Sequence, residues 1–149
     1  PGCLKILKKK FSYRKNIKII PKAVSNKSGK IKLYMHKNSK DIFDTNYAQG
    51  TSVEPKKDNI DKKKFFKTEA ISIKNVLKKY SKIDLLKIDI ECHEYKILPT
   101  IIKNRKKIKK VFCELNGKKK YKFLNKEYSK TVKYLKKNKL YGSWLVNWT

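Results

Sequence analysis

Arginine is nearly absent from this chain: of 41 Lys+Arg residues, only Arg14 and Arg105 are arginine. Base-edge readout and bidentate phosphate recognition favour the guanidinium fork, so a sequence-specific nucleic-acid reader is poorly matched. Acidic residues are scarce too, 12 in all, which leaves a formal charge of +29 over 149 residues. Lysines run through almost every segment, so the charge is diffuse rather than aimed and attracts polyanions without selecting among them. Many Ile and Asn residues accompany the lysines, a composition that also marks AT-rich coding sequence. Cysteine is limited to Cys3, Cys92 and Cys113, an odd number with wide spacing. That excludes a disulfide framework and offers no zinc spacing; reduced thiols are the simplest account. Five glycines, at positions 2, 29, 50, 117 and 142, include no pair spaced as G-x-G. No apolar run approaches the ~20 residues of a membrane span, and lysines interrupt the N-terminus where a signal peptide would be apolar. The expectation is a soluble, cytoplasmic protein forming a single domain over residues 1–149, long enough to bury a core.

What is present centres on residues 83–98, IDLLKIDIECHEYKIL. An apolar run of strand length between Ile83 and Ile90 ends abruptly in Glu91, Cys92, His93 and Glu94, which predicts a buried strand with a polar rim. Alternation puts Lys87, Asp89 and Glu91 on one face and Leu86, Ile88 and Ile90 on the other. Ligands of open α/β sheets sit outside the carboxyl ends of strands, so Asp89, Glu91 and His93 stand where chemistry is expected. An edge strand with one wet face would show the same alternation.

Upstream, Leu4, Leu7 and Phe11 form a stripe on a lysine-rich helix over residues 3–13. Pro1-Gly2 precedes it with no initiator Met and no strand, so a missing N-terminal portion is expected. NIKIIPKAV (16–24) reads as a strand, near an edge because of Pro21. SNKSG then turns into the alternating KIKLYMH, and together they predict a hairpin-like pair. His36, on the polar side of that second strand, reads as a solvated surface histidine. Residues 37–64 lack periodicity and read as a long loop, either a lid or disordered. Strand character resumes at 65–73, and Ser72 caps a helix carrying Ile73, Val76, Leu77 and Tyr80. After the central strand come a short helical turn and a new helix start at Pro99. A strand at 109–117 places Val111, Cys113 and Leu115 opposite Phe112 and Glu114. A helix through Leu124, Tyr128, Val132 and Leu135 and a last aromatic strand with Trp144 and Trp148 complete an α/β pattern with parallel strands.

AVSNKSGKIKLY, a variable loop, EAISIKNVLKKY, IDLLKIDIECHEYKIL and VFCELNG, in this order, resemble the FkbM family of methyltransferases over nearly the whole chain. KIDIECHE is the sharpest motif, similar to the family's Lys-Ile-Asp-Val-Glu-Gly-x-Glu. The resemblance implies a Rossmann-like S-adenosylmethionine methyltransferase fold and methyl transfer, usually to an oxygen of a small molecule or glycan. By it, Lys87, Asp89, Glu91 and Glu94 match the motif, and Ala23, Val24 and Ser25 match the segment beside the adenine. Cys92 stands where the family has Gly, a position suited to unusual φ, and Ser72-Ile73-Lys74 lacks the acidic residue of the family's Thr-Leu-Asp. The family's glycine-rich loop and ribose-binding acid have no counterpart, so the fold is expected to be partial, without its first two strands.

In-line methyl transfer needs alignment of donor and nucleophile, and a base where the acceptor is a hydroxyl. Asp89, Glu91 and His93 are the candidates for catalysis; Lys87, Glu94 and Glu114 are expected to line the acceptor site. Carboxylates so clustered would alternatively hold a divalent cation, though Lys87 on the same face opposes that, and His93 would alternatively be a surface residue at a helix start. The competing function is a polycationic binder of nucleic acid or an anionic surface, without catalysis.

Overall fold

A computed structural model describes residues 1–116 and 121–147. Among the described residues, six strands pair into two sheets, four α-helices accompany them, and the remainder form the connecting loops. The first sheet comprises β1 (Ala23–Ser25), β2 (Gly29–His36) and β3 (Ile60–Ser72) in the order β1-β3-β2. β3 is central, parallel to β1 (Ala23 opposite Ala70, Ser25 opposite Ser72) and antiparallel to β2 (Leu33 opposite Phe66). The expected hairpin between 16–24 and KIKLYMH is therefore corrected: β1 and β2 flank a third strand instead of pairing. Strand geometry covers only Ala23–Ser25 of the expected 16–24, because Pro21 has no N–H to give a ladder. The loop expected at 37–64 is also shorter, since β3 begins at Ile60. Its middle is anchored by reciprocal backbone bonds between Tyr34 and Ser52, at 2.8 and 3.0 Å.

A second sheet holds β4 (Ile83–Ile88), β5 (Ile108–Cys113) and β6 (Leu145–Asn147), all parallel, in the order β4-β5-β6. Among the described residues β4 is thus an edge strand, not the buried one expected, and Leu85 is 56 % exposed. Its alternation survives in the burial: Ile88 is enclosed while Lys87 and Asp89 are exposed. β6 is brief; Trp144 lies just ahead of it, buried, with its indole N–H donating to the Ile108 carbonyl at 2.7 Å. Trp148 and Gly117 lie outside the described residues.

The helices follow the apolar spacing. α1 (Gly2–Phe11) carries the predicted stripe yet encloses no side chain fully. Its start is pressed against the 42–43 backbone, where a Cβ on Gly2 would meet the Phe43 carbonyl oxygen at 2.4 Å. α2 (Ile73–Leu77) is capped as expected by the Ser72 hydroxyl, which accepts from the Asn75 N–H at 3.2 Å, and it ends before Tyr80. α3 (Glu94–Lys103) runs through Pro99 without a new start. Pro99 is exposed, and only its missing N–H is lost to the helix ladder. Ile97, Leu98 and Ile101 of α3 join Val111, Cys113, Leu115, Leu145 and Leu135 of α4 (Asn125–Lys137) in one core. Each such aliphatic side chain contributes roughly 1.5–3 kcal/mol of burial. Val24 of β1 and Ile73 of α2 pack on this same core, joining the first sheet to the second. Among the described residues, no helix is long and apolar enough to cross a membrane.

Candidate active site

β4 ends at Ile88, and the chain must then turn sharply into α3. Glu91 (φ 56°) and Cys92 (φ 80°) make that turn in the left-handed region, where side chains are crowded and each residue costs about 1–2 kcal/mol. Cys92 therefore adopts the kind of φ that a glycine would take without strain. Three contacts hold the turn. The Ser52 hydroxyl donates to the Glu91 carbonyl at 2.5 Å, Lys57 Nζ pairs with the Glu91 carboxylate at 2.5 Å, and the Ile90 N–H donates to Glu94 Oε1 at 3.0 Å. Cys92 is buried against Tyr121 and Leu124, and burial pushes its thiol up to about 12.

Ser52 and Lys57 were not distinguishable in the sequence. Both lie in the aperiodic loop, and Lys57 is one lysine among many; only its burial, at 3 % exposure, marks it out. Its Nζ also reaches the Gly50 carbonyl at 3.4 Å.

Of the expected site residues, Asp89 and Glu91 share a cleft of about 420 Å³ with Ala23 and Val24, so the ends of β4 and β1 meet in one hollow. Asp89 is exposed there, whereas Glu91 is held by Lys57. Ser25 is buried beside them, its hydroxyl 3.0 Å from His93 Nε2 and 3.2 Å from Asn26 Oδ1. His93 is the N-cap of α3, but its side chain makes no capping bond. Burial lowers its pKa and the nearby Lys96 lowers it further, which favours the neutral ring. Glu114 adjoins the end of β4, its N–H donating to the Ile88 carbonyl at 3.1 Å, and is half-buried. Lys87 is exposed on β4.

Glu94 departs from the expectation that it lines an acceptor site. It is fully enclosed beneath the turn, because its carboxylate is needed there to receive the Ile90 N–H. Burial pushes its pKa up to about 7, against the hydrogen bonds that lower it and with a further rise from Glu114. Its Oε2 has no hydrogen-bond partner among the described residues. His36 also differs from expectation: it is half-buried and stacked on Tyr47, with ring centroids 4.9 Å apart. Among the described residues, no group of three or more His, Cys, Asp or Glu gathers to hold a metal ion.

A mixed α/β architecture with parallel strand pairs, and an acidic turn at a strand's carboxyl end, are compatible with a methyltransferase-like fold. The methyltransferase FkbM domain matches residues 5–141, so the chain belongs to the FkbM methyltransferase family. Comparison with curated proteins and with solved structures gives no match.

Proposed function

We propose that the chain works in an S-adenosylmethionine-dependent O-methyltransferase of Rossmann-like fold, acting on a hydroxyl of a small molecule or glycan. The observation that carries this reading is the cleft where the end of β1 meets Asp89 and Glu91 at the end of β4. Membership of the family supports the reaction class.

The cleft suits S-adenosylmethionine in part. Ala23 and Val24 offer an apolar wall for the adenine, and Asp89 and Glu91 offer polar acceptors at the other side. No two of the chain's glycines are spaced to give the amide cradle that the methionine portion and ribose need. When bound, the cofactor supplies an electrophilic methyl group. Lys57 fixes Glu91 as a rigid wall, so Asp89 is the carboxylate left to orient an acceptor hydroxyl and receive its proton. His93, neutral and tied to Ser25, is a second proton acceptor that steadies the junction of the two sheets. Two further strands between β1 and β4 would complete the sheet, because among the described residues β1 pairs only with β3 and β4 only with β5.

The test is methyl transfer from methyl-labelled S-adenosylmethionine to a panel of alcohols and saccharides, using a version with a glycine-rich strand-turn-strand segment ahead of residue 1. Label should appear on oxygen and fall at least ~100-fold with Asp89→Asn, the scale of a lost general base. Transfer unaffected by Asp89→Asn would remove Asp89 from the mechanism, and no binding or transfer at all would sink the reading.

A further inference from the structure

A second hollow, of about 430 Å³, shares Lys22 with the β1–β4 cleft and no other residue. Its walls come from the Ser28–Gly29 turn, the last part of β3, and α2 with the two lysines that follow it. We propose that this hollow binds a phosphate monoester, a compact dianion carried on a small organic group. The site is separate from the methyl-transfer reading and stands or falls without it.

Charge is the first argument. Lys22, Lys78 and Lys79 line the hollow against one carboxylate, Glu69, so the wall has a net formal charge of two positives. Lys30 stands opposite Glu69 on the β2–β3 ladder and offsets that carboxylate from outside. The ammonium groups of Lys22, Lys78 and Lys79 have no ion-pair partner among the described residues. A chain of +29 does not by itself produce such a wall. The β1–β4 cleft sets Asp89 and Glu91 against Lys22, the hollow beside Tyr121 sets Asp58 and Glu91 against Lys57, and the hollow at the start of α1 has Asp41 and Asp44 with no lysine. Of these four, only the hollow at Ser28 draws an anion in.

Hydrogen bonding gives the anion a place to sit. The Ser28 hydroxyl oxygen accepts the Ser72 N–H at 3.0 Å and the Asn75 side-chain N–H at 3.3 Å, which occupies both of its lone pairs. Its own proton is left to donate, and no acceptor meets it among the described residues. A phosphate oxygen is such an acceptor, and a bond to an ionised partner is the stronger kind. Gly29 beside it, at φ 128°, leaves the wall open, since a Cβ there would find no atom within 4 Å. A monoester carries about −1.5 to −2 at neutral pH, which matches the wall better than the single charge of a diester. Lysine serves a phosphate as a point charge, so the scarcity of arginine does not count against it. The volume exceeds what one phosphate fills, and Ala70 and Ile71 offer apolar surface to the group that carries it.

Backbone-amide NMR titration of the full chain with methyl phosphate, at neutral pH and physiological salt, tests the proposal; dimethyl phosphate is the singly charged control. The Ser28, Gly29 and Asn75 resonances should shift together and saturate. Lys22→Gln, Lys78→Gln and Lys79→Gln combined should weaken binding about tenfold, and Ser28→Ala about threefold. A matched triple variant on α4, Lys130→Gln with Lys133→Gln and Lys137→Gln, removes the same charge from exposed positions outside the hollow and should change affinity less than about twofold. Lys22, Lys78 and Lys79 are exposed, so their variant keeps the test decisive should Ser28→Ala disturb the turn. Shifts scattered over the surface without saturation, equal weakening by the two triple variants, or dimethyl phosphate binding as tightly as methyl phosphate would overturn the proposal.

Discussion

Ser25 Oγ and His93 Nε2 lie 3.0 Å apart although 68 positions separate them in sequence. Their contact joins the last residue of β1 to the residue that caps α3, and hence the carboxyl ends of strands in two different sheets. The cleft containing Asp89 follows from that junction. Because Val24 also packs on the core of the second sheet, the site rests on packing as well as on one polar bond.

Glu94 makes stability depend on pH in a specific direction. Its folded pKa of about 7 stands above the ordinary 4.5, chiefly through burial. The folded state thus keeps a proton that the unfolded chain releases, so the contribution is fully present below pH 4.5 and is lost as pH rises through about 7. Glu94→Gln should leave urea stability near pH 4.5 almost unchanged and raise it at pH 8.5 by roughly 2–3 kcal/mol. His93 acts in the opposite sense, its lowered pKa costing stability as pH falls below 6.5. Parallel urea titrations of wild type and variant isolate Glu94; an equal change at both pH values would contradict its assignment.

Lys57 and Glu91 should be energetically coupled. The Lys57 side chain is almost wholly buried, whereas that of Glu91 is 29 % exposed, so removing the carboxylate strands the more deeply enclosed charge. Glu91→Gln is expected to cost about 2–4 kcal/mol and Lys57→Met somewhat less, because water can reach Glu91. The double variant should cost less than the sum of the two. A cycle measured by urea unfolding with a coupling near zero would mean that the ion pair does not hold the turn.

The three thiols should separate into one and two. Cys3 is exposed, while Cys92 and Cys113 are buried and burial raises the pKa of both, that of Cys92 to about 12. Reactivity follows the thiolate and its access, so an aromatic disulfide reagent at pH 8 should titrate one thiol rapidly in the native protein and three after denaturation. Cys3→Ser should abolish the rapid phase; its persistence would show that the Glu91–Cys92 turn opens.

The second half of the chain was the more legible in sequence. Val111, Cys113 and Leu115 alternate and all are buried, and Leu124 and Leu135 fall on the enclosed side of their segment, so local period and burial agree. β3 begins in IDKKKFF, where most side chains are exposed; pairing with β2 along the backbone makes it a strand, and no apolar alternation announces it. The pairing of Ala23 with Ala70 is equally silent, being parallel and distant, while the SNKSG turn imitates a hairpin. Asp89, Glu91 and His93 stood out as a cluster. Ser52 and Lys57 did not, because their roles arise from tertiary contact with Glu91.

Residues 1–149 on their own should bind S-adenosylmethionine weakly. The cleft offers Ala23 and Val24 at one side and Asp89 and Glu91 at the other, two ends of a site for a ligand whose orientation also depends on ribose and methionine contacts. Backbone amides from a glycine-rich turn are the usual source of those contacts, and no pair of glycines here has the spacing. Among the described residues, β1 and β4 also each keep one unpaired edge, a row of ladder groups that invites another strand. Calorimetric titration of the chain should therefore show no saturable heat at micromolar cofactor, whereas the version extended ahead of residue 1 should bind. Asp89→Asn in that version should alter methyl transfer far more than cofactor affinity, since Asp89 is assigned to the acceptor. Micromolar binding by residues 1–149 alone would show that the cleft between β1 and β4 is already a complete cofactor site.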